Sequence, residues 1–193
     1  MMPDFLTDLI LERVLSAYCH NVHDYILLSN KSEHVVDVNE LGTSYFVTDK
    51  IGQEEDNNEK YFEVINKFEK YFALLQIDNG IIKTCETKKC DCALVDDNNL
   101  CFIEFKANAT STKTNQVNKN YCKAMKQLST TISIFKSGLL LLEKDLYTLR
   151  KVEAYVCFRH GYPRRTSSEM NYRVDFAKNN NGCPLYFEPK KVL

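Results

Sequence analysis

The sequence predicts an α/β fold, a central mixed β-sheet with helices on both faces, and three observations carry that prediction. Two runs of strand character, 91–95 and 100–106 (LCFIEFK), are separated by Asp96-Asp97-Asn98-Asn99, turn chemistry that suits an antiparallel hairpin. Over 118–135, Tyr121, Met125, Leu128, Ile132 and Phe135 recur at helical spacing. A further strand-like run, KVEAYVCFR at 151–159, follows that helix. Strand, helix and strand in this order favour a mixed sheet, because a parallel return in one sheet needs a long crossover.

Residues 4–19 predict an amphipathic helix, with Leu6, Leu9, Ile10, Val14 and Ala17 on one apolar face. Residues 24–51 hold short β-prone pieces (YILL, HVVDV, SYFVT) between polar breaks, and GQEEDNN at 52–58 reads as an acidic loop. A second helix is expected over 59–76, where Phe62, Ile65, Phe68, Phe72 and Leu75 follow the helical period. Asp78-Asn79-Gly80 is the stop signal after it. A short strand is expected at 81–85, and ANATSTKTNQVNKN after the second hairpin strand reads as a loop. Residues 139–149 are read as helical, although four consecutive leucines also suit a strand. The tail offers two short strands, YRVDF and PLYFE, around a turn at 179–182. The expected core order is therefore α-β-β-β-α-β.

At 193 residues the chain suits one domain. With 44% hydrophobic and 26% charged residues it has the composition of an ordinary folded protein, which excludes disorder along its length. No apolar run approaches the ~20 residues of a membrane-spanning helix. The first residues place Asp4, Asp8 and Glu12 among the apolar ones, which disfavours a signal peptide, so a cytoplasmic protein is expected. Eight cysteines show no CxxC pair and no histidine at zinc-finger spacing. Several lie inside apolar runs, as Cys101 and Cys157 do, and read as buried free thiols. Cys90 and Cys92 flank Asp91 and are expected to pack together on the opposite strand face.

Net charge is −1, so the chain is not a basic nucleic-acid binder as a whole. Its lysines are unevenly spread: eight stand against five acids between Lys83 and Lys126, and Arg159, His160, Arg164 and Arg165 cluster later. Local positive charge of that kind can hold a phosphate backbone. The four histidines, His20, His23, His34 and His160, show no ligand spacing.

The chemistry concentrates on the expected hairpin. Glu104 and Lys106 alternate along one strand and share a face, amid Cys101, Phe102, Ile103 and Phe105. Charges in such a strand are unfavourable unless paired, exposed at a cleft or bound to a metal. Asp91 opens the neighbouring strand, and the hairpin can bring it beside Glu104. Two adjacent carboxylates repel, and a hard divalent cation relieves the repulsion.

The pattern Asp91-x12-Glu104-x-Lys106, with a helix expected on either side, resembles the PD-(D/E)XK nuclease superfamily over roughly 59–159. Cys90 stands where that pattern has proline. The resemblance implies a restriction-endonuclease-like core at 59–159, with 1–58 an N-terminal helical or irregular elaboration and 160–193 a C-terminal one. It implies a nuclease that hydrolyses phosphodiester bonds of DNA, or secondarily RNA, with Mg²⁺ or Mn²⁺ held by Asp91 and Glu104, and Lys106 assisting the attacking water. Family members often add a glutamine from the following helix, for which Gln127 is the candidate, and an acid from the preceding helix. For that acid Glu69 borders the apolar stripe and is chosen over Glu63 and Glu12. An iron–sulfur cluster, as some related nucleases carry, would need Cys85, Cys90, Cys92 and Cys101. A homodimer or a larger nuclease assembly is expected, and no membrane. The alternative is a catalytically silent module of the same fold that binds nucleic acid or a partner protein.

Overall fold

A computed structural model of the chain describes residues 14–38, 42–47, 61–83, 88–106, 109–158, 162 and 166–193. Within them the sequence lays down β1 (Ile26–Ser29), β2 (Glu33–Val38), β3 (Thr43–Val47), β4 (Tyr61–Ile65), β5 (Phe72–Gln76), β6 (Cys92–Val95) and β7 (Asn99–Lys106). There follow α1 (Thr114–Leu140), the single turn α2 (Leu146–Leu149), β8 (Lys151–Phe158), α3 (Thr166–Asn179), β9 (Leu185–Tyr186) and β10 (Lys190–Val192).

Six strands form a mixed sheet in the order β1-β5-β6-β7-β8-β9. The first four pair antiparallel, and β7–β8 and β8–β9 pair parallel after the crossovers through α1 and α3. The β6–β7 hairpin closes as its turn residues require: Asp96 Oδ1 accepts from the amides of Asn98 and Asn99, both at 2.7 Å. The central strands are buried on both faces, which explains their nearly unbroken apolar runs.

One face of this sheet carries the helices. Ala73, Leu75, Phe102 and Val156 meet Leu128, Ile132 and Phe135 of α1 and Phe176 of α3. Val14 packs so closely on α1 that a Cβ at Gly138 would come within 2.5 Å of its Cγ1.

The opposite face departs from expectation. In place of helices it is covered by a second sheet, β10-β4-β2-β3, whose Val35, Phe62 and Val64 pack on Phe72, Leu74, Ile103 and Tyr155. The helix expected over 59–76 is therefore two strands. Phe62 and Val64 alternate inward on β4, and Phe72 and Leu74 face the same layer from β5. The turn between them is fixed by Asn66, whose side chain donates to Lys70 O at 2.7 Å and accepts from Lys70 N at 3.1 Å. Glu69 within it has φ +51°, which no continuing right-handed helix allows. Phe68, which the helical reading needs inside, is 73% exposed.

The β-prone pieces between 24 and 51 are β1, β2 and β3. Residues 81–83 form a turn with one bridge, Asp78 to Ile82, where a strand was expected. The leucines at 139–142 end α1 and enter a turn that leads to α2. YRVDF lies inside α3, where Tyr172 stacks on Tyr121 at 5.0 Å and Phe176 enters the core one helical turn later. PLYFE contributes β9. Most of the expected 4–19 helix, the loop at 52–58, Glu12, Cys85, Arg159, His160, Arg164 and Arg165 lie outside the described residues. Among the described residues no helix is long and apolar enough to cross a membrane.

A buried polar cluster joins the two sheets at the end remote from Asp91. Glu153 of β8 accepts from Lys191 of β10 at 2.6 Å, from Tyr155 Oη at 2.8 Å and from Lys151 Nζ at 2.8 Å. Burial pushes its carboxyl up, but the bonds from Lys151, Lys191 and Tyr155 outweigh burial and hold it at about 2, against an ordinary 4.5. A depressed carboxyl stabilises the fold above its ordinary value, and the contribution fades as pH falls from 4.5 toward 2. Removing one partner from a buried ion pair costs about 3 kcal/mol. Lys191→Met is accordingly expected to lower the melting temperature at pH 7 by about 6–12 °C, with the gap to the native protein narrowing near pH 2. Equal melting temperatures at pH 7 would show the cluster to be energetically silent.

Candidate active site

The site is built where the β6–β7 hairpin passes under α1. Cys92 pairs with Ile103, and extending that antiparallel register by one sets Asp91 opposite Glu104. Asp91 is anchored on both sides. Its carbonyl accepts from the amides of Ile77 and Asp78 at 3.1 and 3.0 Å. Its Oδ2 accepts from the amide of Phe105, the residue between Glu104 and Lys106, at 2.6 Å. Glu104 and Lys106 share the helix-side face, and Lys106 Nζ donates to Glu104 Oε1. The same ammonium donates to Gln127 Oε1 of α1 at 2.9 Å.

The electrostatics of the pair are unfavourable as it stands. Glu104 is 1% exposed, and burial, then the charge of Asp91, pushes its carboxyl well up despite Lys106. Asp91 is raised to about 7, first by burial and next by Asp37, against the Phe105 amide and Lys106. Glu104 Oε2 is buried and has no hydrogen-bond partner among the described residues. Such an orphaned oxygen is rare in folded proteins and asks for a reason. A buried acid and a half-buried one that both resist charge, the buried one with a free lone-pair face, suit a divalent cation. Among the described residues no three His, Cys, Asp or Glu side chains are disposed to grip one ion together, so a cation here would have this pair at most as direct protein ligands.

The structure brings Asp91, Glu104, Lys106 and Gln127 together. It does not bring Glu69, which sits exposed in the β4–β5 turn. Gln76 at the other end of β5 pairs with Cys92, so Glu69 lies across the sheet from Asp91. Its placement beside the site required a helix over 59–76, and that segment is strands. Glu63 faces Lys190 across the second sheet at 3.8 Å. The cysteines do not converge: Cys90 is buried in the helix-side core, Cys92 and Cys101 in the layer between the sheets. Cys90 and Cys92 thus part to opposite faces, because Cys90 precedes the strand. Burial raises all three thiols, as expected of packed hydrophobes.

Two residues escaped the sequence reading. Asp37 of β2 lines a cavity of about 370 Å³ together with Lys106, Thr110, Asn120 and Lys123. Its sequence signal was the acid set into HVVDV, two residues after the inward-facing Val35. Thr131, fully buried, accepts from the amide of Cys90 at 2.8 Å and donates to Gln127 O at 3.0 Å. Gln127 Nε2 also donates to Lys89 O at 3.0 Å. One turn of α1 therefore grips the two residues before Asp91 while holding Lys106. Thr131→Val strands a buried amide and is expected to destabilise the protein by about 1–3 kcal/mol in urea denaturation, with Thr131→Ser restoring native stability. A serine variant no better than valine would deny that bond its role.

The chain matches no protein-family model, no curated protein and no solved structure.

Proposed function

We propose that the protein is a metal-dependent nuclease with a restriction-endonuclease-like core, hydrolysing phosphodiester bonds of DNA ahead of RNA. The observation that carries this reading is the juxtaposition of Asp91 and Glu104, with Glu104 Oε2 orphaned and Lys106 on the same face. The strand order adds support: β5, β6 and β7 run antiparallel, and α1 then returns the chain to a parallel β8. The departure is at the leading helix, since 59–76 supplies strands.

Asp91 and Glu104 would hold Mg²⁺ or Mn²⁺, which when bound polarises a phosphate and acidifies water. The chain supplies the rest. Gln127 fixes the lysine ammonium from the helix side, so that a modest swing carries it from Glu104 toward a phosphate in the adjoining cavity. There it can orient the attacking water or stabilise charge developing on phosphorus. Asn120 and Lys123 extend the polar wall of that cavity along α1 and offer donors to a phosphodiester backbone.

One observation favours a second reading. Lys106 already neutralises Glu104 from within, as it would in a catalytically silent module that binds nucleic acid or a partner protein. Cleavage of DNA and RNA with Mg²⁺ or Mn²⁺ by the native protein and its Glu104→Gln variant separates the two. No cleavage of either by the native protein would select the silent module.

A further inference from the structure

We infer that the β4–β5 turn is a stacking platform for unpaired bases, so that the nucleic acid taken is single-stranded or carries a single-stranded end. This rests on nucleic acid being the ligand of the proposed function and names the form in which it is bound.

The turn presents what a folded chain ordinarily hides. Phe68 is 73% exposed and Tyr71 55%, and the whole run from Lys67 to Tyr71 is exposed between the buried Asn66 and Phe72. Its shape is nevertheless fixed from below. The Asn66 side chain donates to and accepts from the backbone of Lys70, and the Asn66 amide donates to Ser32 Oγ at 3.0 Å. Glu69, at the tip, takes a left-handed backbone conformation with φ +51°. The aromatic rings are thus held out by a built turn, which leaves little ordering to be done on binding.

The charges name the occupant. Ser32 Oγ ties the β1–β2 turn, Asn30-Lys31-Ser32, to the β4–β5 turn, and together they carry Lys31, Lys67 and Lys70 against Glu69 alone. All three lysines are exposed. Lys70 Nζ lies 5.7 Å from the centre of the Phe68 ring, so a cation stands beside an open aromatic face. Aromatic faces interleaved with lysines suit a strand whose bases stack and whose phosphates meet ammonium groups. A duplex keeps its base faces stacked inside and offers the rings nothing to cover. Glu69 sits between the aromatics, where a lipid surface would have to take in its carboxylate. Toward a base the same carboxylate is an acceptor for an amino group.

One strand joins the platform to the acids. β5 starts at Phe72, next to Tyr71, and ends at Gln76, the register partner of Cys92, which follows Asp91. A strand of that length separates the turn from the site by about 15 Å, a distance that a few nucleotides span.

The chain has no tryptophan, so Phe68→Trp places a single fluorescent reporter on the platform. The test uses the full chain in EDTA and labelled single-stranded DNA of about 16 nucleotides, alone and as its duplex. Single strand is expected to quench the tryptophan, and duplex to leave it unchanged. By anisotropy, Phe68→Ser with Tyr71→Ser should weaken single-strand binding about ten-fold or more at an unchanged melting temperature. Lys67→Gln with Lys70→Gln should flatten the salt dependence by the slope of about two phosphate contacts. Native single-strand affinity in the serine variant, an unquenched tryptophan, or an equal loss for duplex overturns the platform. Binding of the native protein to phosphatidylserine vesicles that the serine variant loses, with no binding of DNA, overturns it in favour of a lipid surface. In each of those cases Mn²⁺-dependent cleavage by the native protein leaves the nuclease reading standing. Single-strand binding through the platform, without cleavage by the native protein, overturns that reading and keeps the inference.

Discussion

Glu104→Gln is expected to lower Mg²⁺- or Mn²⁺-dependent cleavage of DNA by about a thousand-fold or more while the metal-free protein melts no lower than the native one. The two halves of this expectation have separate causes. Glutamine keeps the shape and the oxygen that faces Lys106 but carries no charge, so it binds a hard cation poorly. In the metal-free fold the charge on Glu104 is already a liability. Burial and Asp91 together outweigh Lys106 and push the carboxyl well up, so a neutral isostere loses little. Undiminished cleavage by the variant would sink the assignment of the site. Lost cleavage accompanied by a fall of many degrees in melting temperature would identify Glu104 as a structural residue.

How much of this was legible in the sequence depended on whether the deciding contacts are local. The β6–β7 hairpin was, because Asp96-Asp97-Asn98-Asn99 carries its own turn chemistry and Asp96 closes the turn within the tetrapeptide. The core of α1 was, because its apolar stripe holds one period over several turns. That stripe also placed Gln127 where it reaches Lys106. Residues 59–76 were not. Their phenylalanines satisfy a helical period, while Phe62 with Val64 and Phe72 with Leu74 satisfy a strand period equally well. The choice was made by partners distant in sequence, β2 for one strand and β6 for the other. YRVDF failed in the opposite sense: its β-prone residues join a helix because Tyr172 and Phe176, one turn apart, meet α1 and the core.

The site divides along the same line. Asp91, Glu104 and Lys106 were legible because one hairpin sets them together. The place of Asp37 in the cavity wall beside Lys106 was not, since a single acid in HVVDV is indistinguishable from a solvated strand residue until Gln76 ties β3 to the end of β5. Glu69 was chosen by helical phase and fell with the helix. Thr131 gave no signal, because a threonine within a long helix reads as a neutral position, and only the fold presents the amide of Cys90 to it.

Lys106→Met is expected to separate binding of the ion from the chemistry. Methionine keeps much of the aliphatic stem and removes the ammonium that now donates to Glu104 Oε1 and Gln127 Oε1. Without it, cleavage should fall by about a hundred- to a thousand-fold, the range for removal of one preorganised group aimed at developing charge. Mn²⁺ should still bind with native stoichiometry, since the variant retains Asp91 and Glu104. Metal-free stability should drop by less than the ~3 kcal/mol of a fully charged buried pair, because the Glu104 carboxyl, already pushed well up, takes a proton once the ammonium is gone. Mn²⁺ should then restore more of the melting temperature in the variant than it adds to the native protein, where Lys106 already holds the acid. Native-level cleavage by Lys106→Met would reduce the lysine to an ion-pair partner of Glu104. Loss of Mn²⁺ binding together with cleavage would mean that the ammonium organises the acids and does not act on the phosphate. The combination of retained binding and lost cleavage assigns Lys106 to the reaction, because it is the one outcome in which the acids do their part and the chemistry still fails.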